Sequence, residues 1–165
     1  MSSQPPINIG IRRLTESDLP SVLRIAESAS GAPHWSRQTF IEMLSGDFLS
    51  RRIALVAILA GSGEVIGFAV AGLVPPEAEL ENIAVAREVQ RRGIARQLLS
   101  ELVRELKIPR EPRQAGIGTL HLEVRASNSA AIGLYNSIGF TESGHRPRYY
   151  SDPVEDAVLM TFKLS

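Results

Sequence analysis

The sequence predicts a mixed α/β protein: one β-sheet with helices on its faces. Two observations carry this. Short apolar or alternating strand-like runs are interleaved with amphipathic helical runs, in the order β-α-α-β-β-β-α-β-α-β-β. The 165 residues also suit one domain with a sizeable core, and neither an internal repeat nor a linker interrupts them.

Taken in order, "INIGIRRL" reads as the first strand. In "TESDLPSVLRIAESA" Thr15 or Ser17 is placed to cap a helix, and Leu19, Val22, Leu23 and Ile25 form its apolar face. "WSRQTFIEML" is a second, short helix with Ser36 as its cap. "RIALVAILA" and "VIGFAVAGLV" are strands joined through "GSGE", a short glycine-containing hairpin turn. "AELENIAV" is the fourth strand. In the helix that follows, Ile94, Leu98, Leu102 and Leu106 recur every four residues, Leu99 and Val103 widen the stripe, and Pro109 marks its stop. An arginine- and proline-rich loop, "KIPREPRQAGIG", leads to the strand "TLHLEVRA" and to the helix "SNSAAIGLYNSIG", closed by Gly139. The chain ends in two strands joined by a loop that holds Tyr149 and Tyr150.

Composition narrows the function. Lys+Arg and Asp+Glu are both 18, a balance that argues against a general nucleic-acid binder. With no cysteine there is no disulfide framework, thiolate nucleophile or cysteine-based zinc site. His34, His121 and His145 lie far apart and give no metal-ligand spacing. The N-terminus lacks signal-peptide features, and the longest apolar run, Ile53 to Ala60, is too short to span a bilayer. A cytoplasmic protein, bound to no membrane or metal, is expected.

The first chemical signal is "QRRGIA", Gln90 to Ala95, at a strand-to-helix junction. The first turn of a helix has N–H groups without intrahelical partners, at the positive end of its dipole. Gly93 lets the backbone approach an anion, Arg91 and Arg92 add charge, and Ala95 packs closely. The stretch is neither a dinucleotide fingerprint nor a P-loop. Read alone, it is equally a solvated helix start with a chance glycine.

"IAVAREVQRRGIARQLL" resembles the acetyl-CoA-binding segment of the GNAT family of N-acetyltransferases, whose motif is Q/R-x-x-G-x-G/A. "LHLEVRASNSAAIGLYNSIGF", "HWSRQTF", "LENIAV" and "RYYSDPVEDAVLM" resemble, in the right order, the RimI-type branch that acetylates the N-terminal alanine of ribosomal protein. The resemblance covers nearly the whole chain as one domain, residues 1–165. It implies a mostly antiparallel sheet of about seven strands with about four helices. Two departures stand out: the loop at 107–118 is long, and Glu81 occupies a position expected to be uncharged.

In "TLHLEV" Leu120, Leu122 and Val124 point one way, and Thr119, His121 and Glu123 the other. Such a polar face either is exposed or lines a site, so Glu123 alone could be a plain surface carboxylate. Asn128 and Tyr135 are seven residues apart and share a helix face. Asn128 could simply cap its helix, and Tyr135 could be a core tyrosine. The resemblance implies that Glu123 is the general base and Tyr135 the general acid. It implies that Asn128 contacts pantetheine beside Ile83, Ala84 and Val85, and that the backbone from Arg91 through Gly93, Ile94 and Ala95 to Arg96 holds the pyrophosphate of acetyl-CoA. Trp35, Glu81, Tyr149 and Tyr150 would flank an acceptor, the N-terminus of a protein. A small amine, a protein lysine, or a silent acetyl-CoA-binding module remain as other readings, the first because Glu81 sits where some relatives carry a base.

Overall fold

A computed structural model describes residues 5–29, 31, 33–45, 51–109 and 116–164. Seven strands form one sheet in the order β1-β2-β3-β4-β5-β7-β6. They are β1 (Ile9–Arg13), β2 (Arg52–Leu59), β3 (Val65–Val74), β4 (Glu77–Val85), β5 (Thr119–Arg125), β6 (Thr141–Ser151) and β7 (Val154–Lys163). Four α-helices accompany them: α1 (Leu19–Ser28), α2 (Arg37–Leu44), α3 (Ile94–Leu106) and α4 (Ser129–Ile138). Every neighbouring pair is antiparallel except β4 and β5, which α3 joins by the crossover that parallel strands require. The expected element order and mostly antiparallel sheet are both found.

Local chemistry sets the helix ends. Ser36 Oγ accepts the Thr39 N–H at 3.1 Å and caps α2, as its sequence position suggests. The first helix starts later than its sequence pattern. Residues 16–18 form a 3₁₀ turn, and α1 begins at Leu19. Asp18 explains the delay. Its carboxylate accepts from the Thr15 N–H at 2.8 Å and from two Arg12 guanidinium nitrogens at 2.7 and 2.8 Å, which fastens the turn to β1.

The two faces of the sheet carry separate cores. On one, α3 presents Ile94, Leu98, Leu99, Leu102 and Leu106, all buried with Leu120, Leu122 and Val124 of β5. Each such side chain contributes about 1.5–3 kcal/mol on burial. On the other, Val22, Ile25 and Ala26 of α1 and Phe40 and Met43 of α2 pack on Val56, Phe68 and Val70. Residues 110–115 of the long loop lie outside the described residues.

One expectation is corrected. Tyr149 and Tyr150 lie not in a loop but within β6, which continues to Ser151 before the turn to β7. Gly144 and Pro147 spoil the strand pattern in the sequence. β6 is the last strand of the sheet, and an edge strand tolerates proline. It accommodates these residues by breaking register with β7 twice, the second time between Arg146 and Tyr150.

Candidate active site

The site begins where two parallel strands part. β4 and β5 pair only through Glu77↔Thr119, Ala78↔Leu120 and Glu79↔His121. Beyond that rung they diverge, so Leu80 and residues 82–85 of β4 have a sheet partner only in β3. A cleft of about 1640 Å³ opens between the strands. Its walls include Ile83, Ala84 and Val85 from β4, Glu123 from β5, Asn128 and Tyr135 from the α4 segment, and Tyr149 and Tyr150 from β6.

At one end stands the start of α3. Gly93 is its N-cap with φ 79°, a left-handed conformation in which glycine carries no Cβ penalty. A Cβ built there would meet no atom within 4 Å. The position faces open space. Among the described residues, no backbone carbonyl outside the helix accepts the N–H groups of residues 91–96, so the helix start presents unsatisfied donors. Arg91 also has a positive φ, 63°. Arg91, Ile94, Ala95 and Arg96 line the cleft. The guanidinium of Arg92 is turned aside and donates to the Pro5 carbonyl at 2.7 Å. That of Arg96 donates to Ser137 Oγ at 2.5 Å, tying α3 to α4.

Asn128 serves first as a cap: its Oδ1 accepts the Ala131 N–H at 3.2 Å. Its Nδ2 lies toward Gly31, where a Cβ would come within 3.3 Å. The loop between α1 and α2 therefore reaches the start of α4. Asn82 of β4 fastens the same loop from the other side. Its Nδ2 donates to the Pro33 carbonyl at 3.3 Å, and its buried Oδ1 has no partner among the described residues. Trp35 follows in that loop, half-buried against Phe40 with ring centroids 5.4 Å apart.

Tyr135 is buried and packs against Phe140 at 5.6 Å. Burial, and to a lesser degree Tyr150, pushes its phenol up to about 12, so it stays protonated through the physiological range.

The alternation read in "TLHLEV" is present: Leu120, Leu122 and Val124 are buried, and Glu123 is on the opposite face. Its Oε1 forms an ion pair with Arg146 Nε at 3.0 Å. The proximity of this carboxylate raises the Tyr149 pKa. Tyr149 and Tyr150 meet edge to face at 5.1 Å, and the Arg125 guanidinium lies over the Tyr150 ring at 4.2 Å.

Glu81 also lines the cleft, but its carboxylate is taken by Arg52. Arg52 grips it through Nε–Oε2 at 2.7 Å and Nη2–Oε1 at 3.1 Å. The pairing of β4 with β3 passes from Leu80↔Ala71 to Asn82↔Val70, so Glu81 is the extra residue of a bulge. Its side chain crosses Gly72 to reach Arg52, and any Cβ at 72 would sit 2.6 Å from Glu81 Oε1.

Four contributors to this site escaped the sequence reading. Glu79 lines the cleft, and burial, then the charges of Glu123 and Glu81, raises its carboxyl. The alternation of Glu77, Glu79 and Glu81 in "EAELE" is the signal that could have found it. Arg52, Asn82 and Arg146 act through partners distant in sequence, and no local pattern marks them.

Comparison with known proteins gives this arrangement a class. The model of the acetyltransferase (GNAT) family matches residues 19–140. The chain belongs to that family and is an acetyl-CoA-dependent N-acetyltransferase. It is 40% identical over 157 residues to the [ribosomal protein bS18]-alanine N-acetyltransferase of Escherichia coli K12, covering 94% of this chain and 97% of that protein. The crystal structure of the ribosomal-protein-S18-alanine N-acetyltransferase from Escherichia coli superposes with a TM-score of 0.80 at 39% identity, covering 96% of this chain and 95% of that one. A ribosomal-protein-alanine N-acetyltransferase from Brucella melitensis gives 0.75 at 27% identity, over 93% and 98%.

Proposed function

We propose that this enzyme transfers the acetyl group of acetyl-CoA to the N-terminal α-amine of a protein, a ribosomal protein beginning with alanine. The observation that carries the acceptor assignment is the full-length likeness to the bS18-alanine N-acetyltransferase of Escherichia coli. The cleft supplies matching chemistry.

Acetyl-CoA suits the residues present. Gly93 faces open space beside the unpaired N–H groups of residues 91–96. Those groups would hold the pyrophosphate, with Arg91, Ile94, Ala95 and Arg96 around it and Arg92 acting through its backbone alone. The unpaired edge of β4 at Ile83, Ala84 and Val85 would receive pantetheine as an added strand, and Asn128 Nδ2 would meet it from the other side. A backbone N–H of this edge would stabilise the oxyanion.

Glu123 would take the proton of the attacking amine, whose lone pair then forms the new amide bond as the carbon–sulfur bond breaks. An α-amine, with a reference pKa near 7.7–8.0, needs less help than a lysine near 10.4, by about 3–4 kcal/mol at 1.36 per unit. Tyr135 would donate to the departing sulfur. Its pKa of about 12 stands roughly 3.5 units above that of a free thiol. Full proton transfer from the ground state is therefore uphill by about 5 kcal/mol. The phenol acts as a hydrogen-bond donor to sulfur early and completes the transfer only as charge develops there. Trp35, Tyr149 and Tyr150 would flank the acceptor. Glu81, held by Arg52 on two sides, is poorly placed to be the base, which speaks against a small-amine transferase.

The test compares initial rates on two peptides with acetyl-CoA in excess. A peptide with a free N-terminal alanine should be modified. The same peptide blocked at its N-terminus and carrying an internal lysine should not. Preference for the blocked peptide overturns the acceptor assignment.

A further inference from the structure

Glu123 is paired in this structure with a cation of its own chain. Arg146 Nε lies 3.0 Å from its Oε1, and the Tyr149 phenol is close enough to the same carboxylate for its pKa to be raised by it. The two ends of the ion pair differ in setting. The Glu123 side chain is 19% exposed and that of Arg146 55%. Arg146 is also the last residue of β6 in register before the break that runs to Tyr150, and Arg148 within that break has φ 53°. Its guanidinium lies 5.6 Å from the Tyr149 ring. The other titratable groups that interact with Glu123 are Glu79 from β4 and Tyr150 from β6, while Glu81 and His121 act on Glu79. Glu81 is already matched by Arg52, and the residue facing Glu123 on β7 is the apolar Leu159.

A carboxylate bonded to a guanidinium is a poor proton acceptor, because an adjacent positive charge favours its ionised form. A base that deprotonates an amine must be released from that bond. The amine reaches the enzyme near neutral pH largely as an ammonium ion, itself a cation able to take the place of the guanidinium. The net charge at Glu123 is then unchanged by the exchange. A half-exposed ion pair adds little to stability, and the open side of Arg146 gives it somewhere to go.

We propose that Arg146 is a displaceable counter-ion of Glu123. It holds the carboxylate in an ion pair while no acceptor is present, and it yields its place to the acceptor's ammonium group. One N–H bond of that group then breaks as an O–H bond forms on Glu123, and the freed lone pair attacks the thioester; as the carbon–sulfur bond breaks, the adduct's nitrogen loses a second proton and the departing sulfur takes one from Tyr135, which is reprotonated in turn. Arg146 is a positioning residue, acting through Glu123. The inference rests on the reading of Glu123 as the base in this cleft.

The experiment measures kcat/KM for the free-alanine peptide against pH, with saturating acetyl-CoA, for wild type, Arg146→Gln, Arg146→Met and Arg146→Lys. Loss of the cation should move the acidic limb of both neutral variants upward, since an opposite charge nearby favours the ionised carboxylate. The KM for the peptide should fall, because nothing competes for the carboxylate, and turnover above the limb should change by less than about tenfold. Arg146→Lys should return the limb toward its original position. Calorimetric binding of acetyl-CoA identifies the folded variants. An unmoved limb overturns the proposal. So does turnover that drops uniformly, by about a hundredfold or more, in both neutral variants, since that is the loss expected of a direct acid–base group. If wild type acetylates no peptide N-terminus, the functional reading fails by itself. The limb measured with whichever amine is acetylated still decides the role of Arg146.

Discussion

Replacing Gly93 with alanine separates the phosphate cradle from the fold. Gly93 has φ 79° and ψ 9°, and an L-residue in that region costs about 1–2 kcal/mol. For a chain of this size each kcal/mol lowers Tm by about 2–4 °C, so a fall of roughly 2–8 °C is expected. The added methyl meets no atom within 4 Å, so the protein should still fold, with strain as the only cost. The same methyl would project into the space proposed for the pyrophosphate. Loss of one or two hydrogen bonds to a charged group, at about 1.5–3 kcal/mol each, corresponds to a roughly tenfold to 10⁴-fold weaker affinity, since about 1.4 kcal/mol is tenfold. Calorimetric titration with acetyl-CoA, beside a melting curve, reads both effects. Gly93→Glu adds a negative charge and should weaken binding further. A variant that melts earlier but binds acetyl-CoA as wild type does would refute the cradle.

Three further outcomes are expected. Glu123→Gln should slow turnover by a factor on the order of 10²–10⁴, whereas Glu81→Gln should do less; steady-state rates that reverse this order would move the base to β4. Tyr135→Phe keeps the ring packed on Phe140, so acetyl-CoA should still bind while turnover falls within the same acid–base range; a core tyrosine would instead lose some stability at unchanged turnover. Asp18 is held below the usual carboxylate range, chiefly by its hydrogen bonds to Arg12. A depressed folded-state pKa contributes stability that is present above the unfolded value, near 3.9, and is lost as pH falls through the folded value. Asp18→Asn should therefore cost about 2 kcal/mol near pH 7, and denaturant unfolding should show that difference from wild type shrink below about pH 4.

What the sequence makes legible is whatever depends on near neighbours. The stripe of Ile94, Leu98, Leu102 and Leu106, the caps at Ser36 and Asn128 and the alternation around Glu123 are all local patterns, and each is found. The strand bearing Tyr149 and Tyr150 was hidden because its proline and glycine are breakers that only an edge position excuses. The Arg52–Glu81 and Arg146–Glu123 pairs join residues that the sheet alone brings together. Glu79 was legible in principle, and both it and Glu81 line the cleft, but the bulge at Glu81 makes strand alternation an unsafe guide to how each glutamate is held.

The central claim is that this cleft acetylates an α-amine, and one peptide carrying both kinds of amine tests it most directly. Its N-terminus is a free alanine and its interior holds a lysine. After limited reaction with acetyl-CoA, tandem mass spectrometry locates the added acetyl group. The acetyl group is expected on the alanine nitrogen, with the lysine unmodified. Acetylation of the lysine ahead of the N-terminus would contradict it.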